Sequence, residues 1–243
     1  MSGHSKWANI KHKKGKTDDQ RGKIFTKLGR EIAISVRQGG ADPESNSHLK
    51  DVIAKAKTSN MPNDNILRSI KKATGEGSAN LIEVINYEGY GPGGIAMIVE
   101  AMTENRNRTA GDVRHFFDKF GGNLGSTGCV SFLFEKKGVI LIENEGSQDE
   151  EELMLTAIEA GVDDFNSFDE YFEILTSPAD FSRIRELFEK KRNLKFLSAS
   201  VEMVPLNTSK LTDTKQAEMM EKLIEYLEDL EDVQNVYHNW EQE

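Results

Sequence analysis

The sequence predicts a multidomain α+β protein: an N-terminal three-helix domain followed by two α+β domains of ferredoxin-like type, one inserted in the other. Three observations carry this reading. The apolar period is helical up to about residue 75 and changes to two after Gly77. Residues 138–204 spell strand, helix, strand, strand, helix, strand, which is the ferredoxin-like order. The last helix and strand, beyond residue 205, cannot bury their apolar sides alone, and the unit at 79–135 lacks a second helix and a fourth strand.

Residues 1–20 read as an arm, with no apolar period and a break at Gly15. Arg21 to Gln38 reads as a helix, because Phe25, Leu28, Ile32 and Val36 recur at spacings of three, four and four before Gly39-Gly40. A polar loop, ADPESNS, leads to a helix from His48 to Thr58 with Val52, Ile53 and Ala56 inward. Pro62 opens the third helix, with Ile66, Leu67 and Ile70 as its inner stripe before Gly75. These helices share one small core and define a domain over 1–78. The same order fits a helix-turn-helix with 62–74 as the recognition helix, offering Arg68, Lys71 and Lys72. Any three-helix bundle contains such a turn, so the order alone does not decide.

LIEVINY (81–87) and GIAMIVEAM (94–102) read as strands, Asn107 to Phe120 as a helix, and CVSFLFE (129–135) as a further strand. The helix carries Val113, Phe116, Phe117 and Phe120 on one face. Strands at 138–143, 162–168, 170–176 and 196–204 then alternate with helices at 149–160 and 178–191. Ser147 with Glu150 forms a capping box. Ser177 caps the next helix, with Pro178 at its first position and Asp180 near its positive end. After PLNTS comes a helix over 213–230, with Ala217, Met220, Ile224 and Leu227 on one side, and a strand, VQNVYHNW, over 233–240. The economical division joins 79–135 with 205–243 as one discontinuous domain and inserts 136–204 as another.

Composition narrows the functional classes. Apolar residues make up 37% of the 243 and charged residues 30%, as in ordinary globular modules. No run approaches the ~20 apolar residues of a membrane span, and residues 1–23 have no apolar signal core. A lone Cys129 excludes an internal disulfide framework and fits a reducing cytoplasm, so a cytoplasmic location is expected. The net charge of −10 is unevenly spread: residues 1–79 hold 16 Lys+Arg against 8 Asp+Glu, and the remaining 164 hold 15 against 33. Such asymmetry suggests a polyanion partner for the basic part, the alternative being a solvated lysine-rich surface. Between Ser5 and Lys16, Trp7 and His12 stand among Lys6, Lys11, Lys13, Lys14 and Lys16. An aromatic among cations can stack on a base while the lysines hold phosphates.

In EGYGPGG, Gly89, Gly91 and Gly94 satisfy G-x-G-x-x-G, but a dinucleotide site needs that motif between a strand and a helix. Here it joins two strands, and no cofactor is expected. Two readings remain: a glycine-rich hairpin connection, or a bare backbone loop tipped by Tyr90 and Pro92 that presses against another molecule. In ENRNRT, Arg106, Asn107 and Arg108 gather donors at a helix N-terminus, which attracts anions. The alternative is that Asn105 or Asn107 is an N-cap and the arginines meet acids of the neighbouring domain. No HExxH, paired CxxC, GxxxxGK[ST] or GxSxG occurs. Cys129 reads as a small buried side chain, His4 and His12 lack further metal donors, and His115 and His238 read as structural. The acids at 149–152 and 228–232 read as solvated helix faces and termini. Neither catalysis nor a metal site is expected.

GHSKWANIKHKK (3–14), GKIFTKLGREI (22–32), YEGYGPGG (87–94), ENRNRTAGDVRH (104–115) and GGNLGSTGCVSF (121–132) resemble the YebC family from the second residue to the C-terminal strand. Ser126 and Cys129 depart from an acidic and a small polar residue in that pattern. The resemblance implies a helical N-terminal domain with two α+β domains. It also implies a bacterial cytoplasmic member without an import presequence. Bacterial members are described as transcriptional regulatory proteins, and a mitochondrial member as a translational activator. Members have been described both as DNA-binding regulators and as factors that relieve difficult translation on the ribosome, including proline-rich stretches. A basic arm on an acidic body favours a crevice of folded RNA over a long duplex. The expectation is therefore a non-enzymatic nucleic-acid-binding regulator acting on ribosomal RNA. Promoter DNA is the runner-up partner, and an acidic protein-interaction scaffold the third reading. In this expectation Lys6, Lys11, Lys13, Lys14, Lys16, Arg21 and Lys23 hold phosphates, and Trp7, His4 and His12 contact bases. Arg106 and Arg108 form a second contact with the loop Gly89, Tyr90, Gly91, Pro92, Gly93 and Gly94. No membrane partner is expected, and the oligomeric state stays open.

Overall fold

A computed structural model describes residues 18–75, 82–146, 148–191 and 194–241. The helical region comprises α1 (Asp18–Gly39), α2 (Ser47–Thr58) and α3 (Asn63–Thr74). Leu28, Ile32 and Val36 of α1 meet Leu49, Val52 and Ala56 of α2 and Ile66 of α3 around one core. The α1–α2 connection is pinned by Asn46, a buried residue within the stretch read as a polar loop. Its side-chain oxygen accepts from the Leu49 N–H at 3.0 Å, capping α2, while its amide donates to the Ser35 and Gly40 carbonyls at 2.8 Å. Leu67, expected on the inner stripe, is 63% exposed, because Ile66 takes the inward position of that turn of α3.

The first sheet contains β1 (Glu83–Tyr90), β2 (Ala96–Thr103), β3 (Asn123–Leu124) and β8 (Val233–His238) in the order β3-β1-β2-β8, all antiparallel. Helices α4 (Arg106–Lys119) and α7 (Thr214–Asp229) cover one face. There Met97 and Val99 pack on Val113, Phe117, Met220 and Leu223. On the other face Ala96 and Ile98 meet Val130 and Phe134. Burial on both faces explains why β2 is apolar over Ala96–Val99 and again at Ala101 and Met102, with only the half-buried Glu100 between them.

The expected strand at 129–135 is not one. Cys129 and Val130 lie in a turn, Ser131–Leu133 form a 3₁₀ turn, and β4 (Phe134–Glu143) begins only at Phe134. The physical reason is Glu88. Its buried carboxylate takes the N–H groups of Gly128, Val130 and Ser131 at 2.8, 2.9 and 2.8 Å, so they are diverted from any ladder.

β4 enters the second sheet, with β5 (Asp164–Ser167), β6 (Tyr171–Thr176) and β7 (Phe196–Pro205) in the order β5-β6-β4-β7, again antiparallel. With α5 (Glu150–Ala160) after β4 and α6 (Phe181–Glu189) after β6, this is the ferredoxin-like βαββαβ unit. The first sheet is the same kind of layer reached by a different path, since β1 and β2 are a hairpin and β8 arrives from the end of the chain. Two helix starts differ in detail. Asp149 caps α5 by accepting from the Glu152 N–H at 3.1 Å, and Ser147 lies outside the described residues. Helix α6 starts at Phe181, because Ser177 Oγ accepts the Asp180 N–H at 3.1 Å in a turn that holds Pro178 outside the helix.

The helical region touches both sheet modules. Asp51 of α2 accepts from Arg185 Nε at 2.8 Å and from the Ser182 hydroxyl, and Lys50 pairs with Glu186 at 2.9 Å. Lys23, Lys27 and Arg30 of α1 reach the end of α7.

Candidate nucleic-acid interface

Of the residues the sequence assigns to nucleic-acid contact, His4, Lys6, Trp7, Lys11, His12, Lys13, Lys14 and Lys16 lie outside the described residues. Arg21 and Lys23 stand in the first turns of α1. Lys23 Nζ pairs with Asp229, Lys27 Nζ donates to the Glu228 carbonyl at 2.6 Å, and Arg30 donates to the Glu231 carbonyl. The last carbonyls of a helix have no partners within it and form its negative pole, which Lys27 meets directly, while Lys23 and Arg30 meet the Asp229 carboxylate and the Glu231 carbonyl beside it.

Asp232 sits just beyond that pole, 7% exposed. One carboxylate oxygen faces Arg30 at 3.1 Å. The other accepts from Arg108 Nη2 at 2.9 Å, Thr109 Oγ1 at 2.8 Å and Thr103 Oγ1 at 3.1 Å. Burial alone would raise its pKa. The hydrogen bonds from Arg108, Thr109 and Thr103 and the Arg30 charge outweigh this and hold it below the usual aspartate value. The second alternative for ENRNRT, a cap with arginines that meet acids, is therefore partly realised, although the acid lies in the segment the sequence assigns to the same domain. Asn105 is the cap of α4, accepting from the Arg108 N–H at 3.1 Å, and Arg108 meets an acid that Arg30 of the helical region also meets. Arg106 is exposed, its carbonyl accepting from the Tyr87 hydroxyl at 3.3 Å.

The loop 89–94 is more packed than its composition suggests. Gly89, Gly91 and Pro92 are buried, while Tyr90, Gly93 and Gly94 are exposed. The expectation of a protruding Pro92 fails because the strand end is pressed onto the helices. A Cβ on Gly89 would lie 2.6 Å from the Asn123 carbonyl, and one on Gly91 would lie 2.7 Å from Met220 Sδ. The loop and the arginines are not brought together either. Helix α4 begins at Arg106 and runs so that Phe117 lies against Gly89, which puts about 16 Å of helix between the two places.

Arg68, Lys71 and Lys72, which the sequence offers as groove or phosphate contacts, stand on α3. All three are exposed and make no ion pair among the described residues, whereas Lys23 and Arg108 do. What was missed is the surface beside the glycine-rich stretch: Phe132 is 67% exposed and Leu206 is 56% exposed. A strand through 129–135 would place Phe132 on the same face as buried Val130 and Phe134; the 3₁₀ turn rotates it outward. Cys129, expected as a buried side chain, is half-buried, and burial and the neighbouring Glu88 charge both push its thiol pKa up.

Among the described residues no group of three or more His, Cys, Asp or Glu is arranged to hold a metal, and no helix is long and apolar enough to cross a membrane. Fold and surface together define a three-module α+β protein, its basic helical end docked on two α+β sheet modules within an acidic remainder. The family model for the TACO1/YebC N-terminal domain matches residues 5–76, and that for the second and third domains of the same proteins matches 82–240. A "Probable transcriptional regulatory protein" of Acetivibrio thermocellus is 67% identical over 240 residues, covering 99% of each chain. Another of that description from Ruminiclostridium cellulolyticum is 64% identical over 243 residues, covering 100% of this chain and 98% of the relative. The crystal structure of a conserved hypothetical protein from Aquifex aeolicus superposes with a TM-score of 0.86 at 46% identity, covering 97% of this chain and 96% of that one. The chain belongs to the TACO1/YebC family.

Proposed function

We propose that this chain is a non-enzymatic regulator of gene expression that binds ribosomal RNA and assists translation of difficult messages, proline-rich ones among them. The observation that carries the reading is the division of charge, 16 Lys+Arg against 8 Asp+Glu in residues 1–79 and 15 against 33 in the rest. Such a body is repelled by a long duplex away from the basic end, whereas folded RNA offers crevices and unpaired bases to a short basic element. The lysines at 6, 11, 13, 14 and 16 hold phosphates, and Trp7 with His4 and His12 meets bases. The exposed Arg68, Lys71 and Lys72 of α3 extend the same basic end.

The second reading is a DNA-binding transcriptional regulator. It is favoured by the description its relatives carry and by the place of α3 as the third helix of a small bundle. Co-sedimentation with ribosomes at rising salt separates the two. Several phosphate contacts predict a fall of roughly 10³ in affinity between 50 and 200 mM salt. The variant with Lys11, Lys13, Lys14 and Lys16 changed to Glu and Trp7 to Ala should stay in the supernatant. If neither protein sediments while promoter DNA retains the intact chain, transcription replaces translation. If neither polymer responds to the variant, the acidic body is a protein scaffold.

A further inference from the structure

We infer that the turn over 128–133 is a stacking platform for one unpaired RNA base, with Phe132 as the ring that receives it. The inference rests on the nucleic-acid reading above and adds a contact of a different kind, a single ring without a cation of its own.

The turn is built to be rigid. Glu88, 5% exposed, receives the N–H groups of Gly128, Val130 and Ser131. Burial disfavours its charge, yet the three backbone donors prevail and hold its pKa below the usual glutamate value. Gly128 has φ +89, a conformation that favours glycine, and the Cys129 carbonyl accepts from the Tyr90 hydroxyl at 3.2 Å. Val130 is buried beneath the turn, and the Leu133 carbonyl accepts the Leu206 N–H at 2.9 Å on its far side. Every backbone element around Phe132 is thus fixed, while the ring itself is 67% exposed. A backbone fixed before any partner arrives leaves only the ring's own rotation to be ordered on binding.

The surroundings select a base over a protein. Exposed apolar groups near the turn are few: Phe132, Leu206 and the half-covered Tyr90. A protein hot spot would sit at the centre of a broad desolvated patch. Here the neighbouring stretch Gly125–Gly128 is exposed, with two glycines, a serine and a threonine that offer backbone and hydroxyl groups. A base needs one flat apolar face and polar groups for its edges, and that is what the turn presents.

The test uses the full chain and ribosomes at one salt concentration, with Phe132→Ala, Phe132→Leu and Phe132→Trp compared. Because the ring packs against little, all three should melt with the parent. Phe132→Ala should weaken ribosome binding roughly 5- to 150-fold, the range of a single base–aromatic stack. Phe132→Leu should be as weak as Ala, and Phe132→Trp should restore binding. A leucine variant that binds like the parent overturns the proposal in favour of an apolar protein contact. An alanine variant that binds like the parent overturns it outright. p-Benzoylphenylalanine at position 132 should cross-link to RNA, and cross-links confined to protein would also overturn it. Loss of binding by the arm variant with Phe132→Ala unaffected defeats this platform and leaves the nucleic-acid reading standing. An intact chain that binds no ribosomes defeats both.

Discussion

The helical region is tied to the rest of the molecule by two seams of different character. Against α6 it contributes a half-buried acid, Asp51, which meets Arg185 (2% exposed and also bonded to Glu189 at 2.6 Å), and a cation at the rim, Lys50, which pairs with Glu186. Against α7 it contributes cations: Lys23, Lys27 and Arg30 meet helix-end carbonyls, Asp229 and Asp232. The Asp51–Arg185 contact of the first seam is desolvated, whereas Lys50 and Glu186 at its rim are partly exposed. In the second, Asp232 is buried but the Arg108 side chain beside it is 58% exposed, and so are the faces of Lys23 and Asp229. Counter-ions reach the second seam but not the Asp51–Arg185 contact of the first. A phosphate polymer that approaches the basic end therefore competes at the α7 seam, for the same cations, and leaves the α6 seam closed.

The largest effect should come from the buried seam. Arg185→Ala removes the partner of a half-buried carboxylate and empties the guanidinium site. Breaking a buried pair on one side costs about 3–5 kcal/mol, read as a lower denaturant midpoint. A loss below about 1 kcal/mol would mean that this seam is as solvated as the other, and the contrast would collapse. Replacing both partners with apolar residues should cost far less, because no charge is then left unpaired.

Asp232→Asn comes next, at about 1.5–3 kcal/mol for bonds to a charged group. Its pH dependence has a definite sign. The folded pKa lies below the unfolded one, so the stabilisation is present above the unfolded aspartate value of about 3.9 and is lost as pH falls through the folded value. The variant should lose stability at neutral pH and show a shallower acid limb than the parent in urea titrations. Equal acid limbs would show that Arg30 and Arg108 do not hold this carboxylate.

These outcomes bear on what could be read from residues alone. The helices, the βαββαβ order and the apolar stripes were legible because each is a local period. Leu67 and the segment 129–135 were not, and both failures come from tertiary forces. A single carboxylate, Glu88, outcompeted strand pairing for three N–H groups, and nothing in CVSFLFE announces a carboxylate 40 residues upstream. The donor-rich start of α4 was legible as chemistry, but not its partner, since Asp232 lies in a run that reads as a solvated helix end. The glycines of 89–94 were visible as a motif. Their cause, close packing of backbone on Met220 and Asn123, depends on elements more than thirty residues away.

The smallest effect is the most informative about the open seam. Lys23→Ala removes an exposed pair with Asp229, and such pairs contribute about 0.2–1 kcal/mol. That loss should vanish between low salt and 0.5 M, where screening already dissolves the pair in the parent. The Arg185→Ala loss should persist across the same range. If nucleic acid competes for the α7 seam, Lys23→Ala should also lower ribosome affinity a few-fold at low salt, while Asp229→Asn should raise it by freeing the same lysine. Opposite signs from two sides of one ion pair cannot come from a change in stability, since both variants lose the same contact. Equal signs would show that Lys23 serves the fold alone and that phosphate contacts end before α1.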